Sequence, residues 1–193
     1  MTHLFKKKQL IKDENVKSNK IKLIYNGVET KNKKIINSKK NFNIILLANL
    51  IEYKNHKMLF SALNLIKNKL NKNWKLYCIG RDDGIKKNLI QLSKKLKINK
   101  KIFWIESENV ENILKKGNLG ILCSNEEGFP NAILEYLSFN LPVISTDVGG
   151  CNEIIKNNKN GILIKKNNYN QLSKAILYIY KNKKLSEKMS NCG

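Results

Sequence analysis

The chain has 193 residues, room for one domain of ordinary size, and its 41% hydrophobic content supports a packed core and excludes wholesale disorder. No apolar run approaches the roughly eighteen residues of a spanning helix, and the basic start MTHLFKKKQLIKDENVK lacks the apolar centre of a secretory signal, so a cytosolic protein is expected. The net charge of +22 rests on 37 basic residues, of which Arg81 alone is arginine; this scarcity of bidentate guanidinium argues against nucleic-acid binding and leaves a solvated lysine surface or weak attraction to an anionic membrane, peripheral at its inner face.

Residues 1–40 are polar and charged, with one strand-like run, IKLIYN (21–26), and the turn Asn26-Gly27. They read as a linker and the remnant of a preceding domain. From residue 41 to 193 short apolar runs alternate with longer helical patterns. NIILLA (43–48), KLYCIG (75–80), KIFWI (101–105), LGILC (119–123), PVIS (142–145) and GILI (161–164) read as strands. Most are continuously apolar, as strands buried on both faces of a parallel sheet must be. Helices are expected at 55–70, 84–97, 109–116, 130–139, 151–157 and 169–181. In the first of these Met58, Leu59, Ala62, Leu63, Leu65 and Ile66 recur at the spacing of one helix face. The alternation predicts an α/β domain with a doubly wound parallel sheet and right-handed crossovers. Cys78 and Cys123 lie within apolar runs and read as small core residues. Neither the cysteine spacing nor the isolated His3 and His56 suggests a metal site.

In such sheets ligands sit at the carboxyl ends of the strands, so the strand-to-helix turns carry the chemistry. The fourth turn, SNEEGFPN, is the least generic. Gly128 permits unusual backbone torsions, and Pro130 suits the first helical position, where its missing N–H costs nothing. The N–H groups of that helix start favour an anion. Glu127 before the helix and Glu135 within it cannot hold phosphate, so both would accept hydrogen bonds from hydroxyls. An anion site between two hydroxyl acceptors describes a nucleotide sugar: sugar, diphosphate, ribose. The alternative is a solvated Glu127 and a Glu135 that merely favours the first half of a helix. Lys54, after the first strand, is placed to neutralise a diphosphate, or is one of many surface lysines. GRDDG contributes Arg81 or is simply a turn. TDVGG permits close backbone approach to a ligand, or is a tight turn with Glu153 in the following helix.

The order of these motifs resembles the C-terminal, donor-binding domain of retaining glycosyltransferases of the GT-B fold, family 4, often called the glycosyltransferase group 1 domain. The resemblance rests on Glu127-GFPNAIL-Glu135 within S-x-x-E-G-F-P-N…E…P-V-I-S-T-D-V-G-G-x-x-E, and on YNGVE (25–29), ANLIEYKNH (48–56), KLYCIGRDDG and GILI. It implies a Rossmann-like domain, one half of a GT-B fold. It implies metal-independent transfer of a sugar from a nucleotide diphosphate, with no cofactor, in glycan, lipopolysaccharide or polysaccharide synthesis. Glu127 would contact the transferred sugar, the backbone of Gly128, Phe129, Pro130 and Asn131 would hold the diphosphate, and Glu135 the ribose. Lys54 would neutralise the leaving diphosphate. Ile105 and Glu106 would lie near the base, and Arg81 at the end of the second strand. Ala48-Asn49 stands where the family usually has Gly-Arg, so Asn49 occupies a diphosphate position without charge. The resemblance covers the donor half alone. The acceptor is unspecified, a separate N-terminal acceptor-binding domain is implied as partner, and the family's closing helix is not expected before SEKMSNCG. A catalytically silent nucleotide-sugar-binding module is the rival expectation.

Overall fold

The computed structural model describes residues 11–22, 24, 26–28, 41–106 and 110–190. Six strands form one parallel sheet: β1 (Phe42–Leu47), β2 (Trp74–Ile79), β3 (Ile102–Ile105), β4 (Leu119–Leu122), β5 (Val143–Thr146) and β6 (Gly161–Ile164). Their spatial order is β3-β2-β1-β4-β5-β6. The order of progression reverses between β1 and β4, which pair at Ile44–Leu119 and Ile45–Gly120. A crevice therefore opens beyond their carboxyl ends, the position where doubly wound sheets take ligands.

The helices are α1 (His56–Ile66), α2 (Lys86–Lys95), α3 (Val110–Leu114), α4 (Asn131–Ser138), α5 (Cys151–Ile154), α6 (Tyr169–Lys181) and α7 (Lys183–Ser190). They cover both faces because the strands are apolar on both. Ile44 and Leu46 of β1 and Ile121 of β4 point into one core with Leu59 and Leu63 of α1 and Ile176 of α6. Ile45 of β1 and Leu122 of β4 point into the other, with Ile133 and Tyr136 of α4. Each such Leu or Ile removed from water contributes about 2 kcal/mol. Tyr136 is fully buried, yet its hydroxyl donates to the Ile121 carbonyl at 3.1 Å and accepts from the Leu47 N–H at 2.6 Å. It fastens α4 across the β1–β4 junction.

Several sequence expectations change. At its described positions, Ile21, Lys22, Ile24 and Asn26, the run 21–26 forms no strand. The first helix ends at Ile66 rather than residue 70. The second starts at Lys86 rather than 84, because the Asp82 carboxylate accepts the N–H groups of Gly84, Ile85 and Lys86 at 2.9–3.1 Å and turns the chain first. Those bonds, led by that of Lys86, hold the Asp82 carboxyl below its ordinary range despite some desolvation. GRDDG is thus a capped turn. Helix α7 was not expected: only Leu185 and Met189 mark an apolar face within KKLSEKMS. Cys78 and Cys123 are buried in the larger core, as expected of small apolar residues, and burial pushes the Cys123 thiol up to about 12. Tyr25, Glu29, His3 and Cys192 lie outside the described residues.

Candidate functional site

The turn after β1 is built to present Lys54. Glu52–Lys54 forms a single 3-10 turn closed by Asn55 in the left-handed region, φ 51°. Asparagine tolerates that conformation because its short amide bonds locally. Here the Asn55 amide oxygen caps α1 by accepting the Met58 N–H at 3.2 Å. Its amide nitrogen donates to Asn125 Oδ1 at 3.0 Å and Asn167 Oδ1 at 2.9 Å. The Asn125 N–H donates to the Tyr53 carbonyl at 2.7 Å, and the Cys123 thiol lies 3.4 and 3.3 Å from the Lys54 and Asn55 carbonyls. The turn after β1 is therefore stitched to the end of β4.

This stitching delivers Lys54 to Glu127. Lys54 Nζ lies 2.6 Å from Glu127 Oε1, and the two side chains are only 17% and 9% exposed. The same oxygen accepts the Ser124 hydroxyl at 2.6 Å. Ser124 is fully buried, and its carbonyl accepts the Thr146 hydroxyl at 2.7 Å. The Lys54 ammonium also sits 5.2 Å from the centroid of the Tyr53 ring, which stands partly exposed beside it.

The double glycine completes the mounting of Glu127. Gly149 has φ 54°, and a Cβ there would lie 1.8 Å from the Glu127 carbonyl oxygen. The Gly150 N–H donates to the Gly128 carbonyl at 2.8 Å, and a Cβ on Gly150 would come within 2.7 Å of that oxygen. Of the two readings of TDVGG, the close approach is real but its object is the loop Glu127-Gly128. Helix α4 begins at Asn131 with Pro130 as its extended N-cap, and Ile133 N–H bonds the Pro130 carbonyl at 3.1 Å. The N–H groups of Asn131 and Ala132 precede this first bond and have no carbonyl of the helix to bond. Asn26 donates from its amide to Asn131 Oδ1 at 2.9 Å, joining the segment before β1 to the start of α4.

Glu135 is half-buried on α4, and none of the described side chains bonds its carboxylate. Burial raises its carboxyl above the ordinary range. Such a carboxylate is an acceptor awaiting donors. The remaining expected positions stand apart from the Lys54–Glu127 pair. Asn49 Oδ1 accepts the Arg81 N–H at 3.2 Å, while Leu50 exchanges backbone bonds with Arg81 and Asp83. The Arg81 guanidinium is exposed and engaged by Asp83 at 2.8 Å, which raises the pKa of Arg81. Ile105 ends β3, its carbonyl accepting the Gly80 N–H, and Glu106 pairs with Lys86 at 3.1 Å.

Ser124, Asn55, Asn125 and Thr146 were not singled out as site residues. The signals were Ser124 three positions before Glu127 and an asparagine just before a helix start. Beneath the same turn, His56 is buried with neither ring nitrogen hydrogen-bonded. Burial, then the charge of Lys54, lowers its pKa to about 4.

Comparison with known proteins identifies the family. Residues 28–193 match the family model described as glycosyl transferases group 1. The chain belongs to that family. An uncharacterized glycosyltransferase of Methanocaldococcus jannaschii is 32% identical over 184 residues, covering 94% of this chain and 49% of that protein. The O-antigen biosynthesis glycosyltransferase WclY of Escherichia coli is 33% identical over 144 residues, covering 68% and 38%. The fold superposes with TM-score 0.84 on a solved structure of S. aureus TarM bound to fondaparinux, alpha-GlcNAc-glycerol and UDP, at 19% identity over 97% of this chain and 37% of that one. This group 1 glycosyl transferase chain thus spans about half the length, or less, of the curated relatives it matches.

Proposed function

We propose that this chain is the donor-binding half of a retaining glycosyltransferase of family 4 and takes a nucleotide diphosphate sugar at the carboxyl ends of β1 and β4. The observation that carries the reading is the partly buried Lys54–Glu127 pair, set beside the open N-terminus of α4 at the switch point of the sheet. A bare carboxylate and a bare ammonium would each lose hydration there, so they satisfy one another. An arriving donor offers both a better match. Its diphosphate takes the Lys54 ammonium and the N–H groups around Gly128, Phe129 and Asn131, and its sugar hydroxyls take Glu127. Glu135 accepts the ribose hydroxyls, while Ile105 and Glu106 flank the base and Asn49 and Arg81 border the diphosphate.

In the reaction the bond between the anomeric carbon and the diphosphate breaks, and charge develops on the departing nucleotide. Lys54 and the start of α4 stabilise that charge, which supplies the catalytic effect without a metal or other cofactor. The acceptor hydroxyl oxygen then bonds the anomeric carbon on the face the nucleotide leaves, and its proton passes to the departing diphosphate. UDP in a structural neighbour and O-antigen synthesis by a relative support a nucleotide sugar and a glycan product. A second reading, a binding module that needs a separate acceptor half for turnover, is favoured by Asn49, whose uncharged amide is committed to the Arg81 N–H. We place the protein in the cytoplasm, where nucleotide sugars are available.

Calorimetric titration with UDP, GDP and ADP tests donor binding. One of them is expected to bind, and Glu135→Ala to weaken it roughly tenfold, as loss of hydrogen bonds to a charged acceptor predicts. The absence of binding to all three would refute the reading. Sugar transfer by the chain alone would exclude the dependent module.

A further inference from the structure

The two ends of the sheet differ in charge. From residue 53 to 81, and again from 84 to 105, the sequence contains no Asp or Glu. The acids of this half of the domain, Glu52, Asp82, Asp83 and Glu106, all fall in turns at the carboxyl ends of the strands. The opposite end, where β2 and β3 begin, is rich in lysine, and the acid that approaches it, Glu187, lines the neighbouring cavity with Asn41 and Asn71. A groove of about 310 Å³ at that end is lined by Lys72, Lys75, Lys100 and Lys101 around Phe103. None of these four lysines is ion-paired with a described acid, and Lys101 instead donates to the Lys72 carbonyl. The last turn of α2 adds Lys94 and Lys95 at the same end.

Phe103 lies on β3, an edge strand, and is 40% exposed. It stacks on Tyr77 with centroids 5.3 Å apart, and Lys75 Nζ stands 5.3 Å from its ring centroid. An aromatic ring standing out of a field of uncompensated ammonium groups suits a surface that is anionic outside and apolar just beneath. Aromatic side chains settle at the headgroup level of bilayers, and lysines near an anionic bilayer add attraction one by one. Compact ammonium charges need no fixed phosphate geometry, whereas base recognition in nucleic acid favours the arginine fork that this face lacks.

We propose that the β2–β3 base, centred on Phe103 and Lys72, Lys75, Lys100 and Lys101, is a docking surface for an anionic lipid bilayer. It holds the chain on the membrane with the candidate donor site at the opposite end of the sheet facing away from the lipid. Scattered surface lysines would bind evenly over the molecule; here four lysines without an ion pair to a described acid gather around one exposed aromatic ring, which favours this face.

The test is co-sedimentation of the full chain with phosphatidylcholine vesicles with and without phosphatidylglycerol. Binding is expected with the anionic vesicles only, weakening as salt rises. Replacing Lys72, Lys75, Lys100 and Lys101 with Gln should lower the partition coefficient roughly a hundredfold. The same change of charge at Lys156, Lys159, Lys165 and Lys166, near the β6 edge, should lower it by less than about threefold. A Phe103→Trp variant should show a blue-shifted emission with anionic vesicles. Equal losses from both lysine sets would overturn the assignment to this face. Failure to bind anionic vesicles, with tight binding of a DNA duplex instead, would overturn the choice of lipid. Nucleotide titration of the variant lacking Lys72, Lys75, Lys100 and Lys101 should be unchanged, so this proposal and the donor-site reading can each fail without the other.

Discussion

The turns after β4 and after β2 look alike in sequence: each sets charged residues beside glycine at the carboxyl end of a buried strand. Their structures part company. Glu127 is gripped by Lys54, Ser124 and the backbone crowding of Gly149. Arg81 keeps an exposed side chain held by Asp83, two residues away in its own turn. The difference lies in neighbours. The β4 turn sits at the switch point between the turns after β1 and β5, and Lys54 from the first reaches its Glu127. The β2 turn is bonded to the β1 side at Asn49 and Leu50 and to the β3 side at Ile105, but these bonds hold its backbone and leave the Arg81 side chain to Asp83. A charged turn becomes a site when adjacent strands force their own turns against it.

Substitution can break that grip at graded cost. Gly149→Ala should be the most damaging, because a Cβ would collide with the Glu127 carbonyl from a left-handed backbone. A loss of about 4 kcal/mol in denaturant unfolding is expected, with donor binding abolished. Lys54→Met leaves the partly buried Glu127 without its cation. It should lose about 3 kcal/mol of stability and most of the affinity for nucleoside diphosphate, while affinity for the nucleoside alone persists.

His56 probes the same turn through pH. The unfolded imidazole takes a proton at its ordinary value, whereas the folded one resists until about pH 4. Stability should therefore be complete above pH 6.5 and fall progressively toward pH 4, by about 3 kcal/mol in all, and His56→Leu should flatten that slope in urea melts at several pH values. Ser124→Ala removes one bond to a charged acceptor and should cost about 2 kcal/mol, with a matching rise in donor Kd. Arg81→Ala should leave the melting temperature unchanged and shift donor affinity less than about threefold, since its ion pair is solvent-exposed. An Arg81 effect as large as that of Lys54 would erase the contrast between the two turns.

Much of the fold was legible because buried parallel strands read as continuous apolar runs, and all six of those from residue 43 onward formed. Helix α6 has the bounds expected of it, 169–181, and in the structure Asn168 caps it by accepting the Gln171 N–H. At its described positions the run 21–26 forms no strand, because apolar content alone does not supply a neighbouring strand. Helix α7 escaped because Leu185 and Met189, four apart, are too few to mark a face. In the site, Glu127, Glu135 and Lys54 were legible from their places relative to Gly128 and Pro130 and to a strand end. Ser124, Asn55 and Thr146 were not, because serine, asparagine and threonine are common in any turn and acquire a role only through a partner distant in sequence.

By itself, then, the sequence determined the strand-helix alternation, the sheet type and the identity of the charged residues at the strand ends, since these follow from local periodicity and from residues within one turn of each other. Only the tertiary structure decided that Lys54 and Glu127, 73 positions apart, share a hydrogen bond, that the double glycine yields to a loop, and that Lys72, Lys75, Lys100 and Lys101 gather around Phe103. Those outcomes depend on strand order and crossover direction, which bring together groups that no local pattern relates.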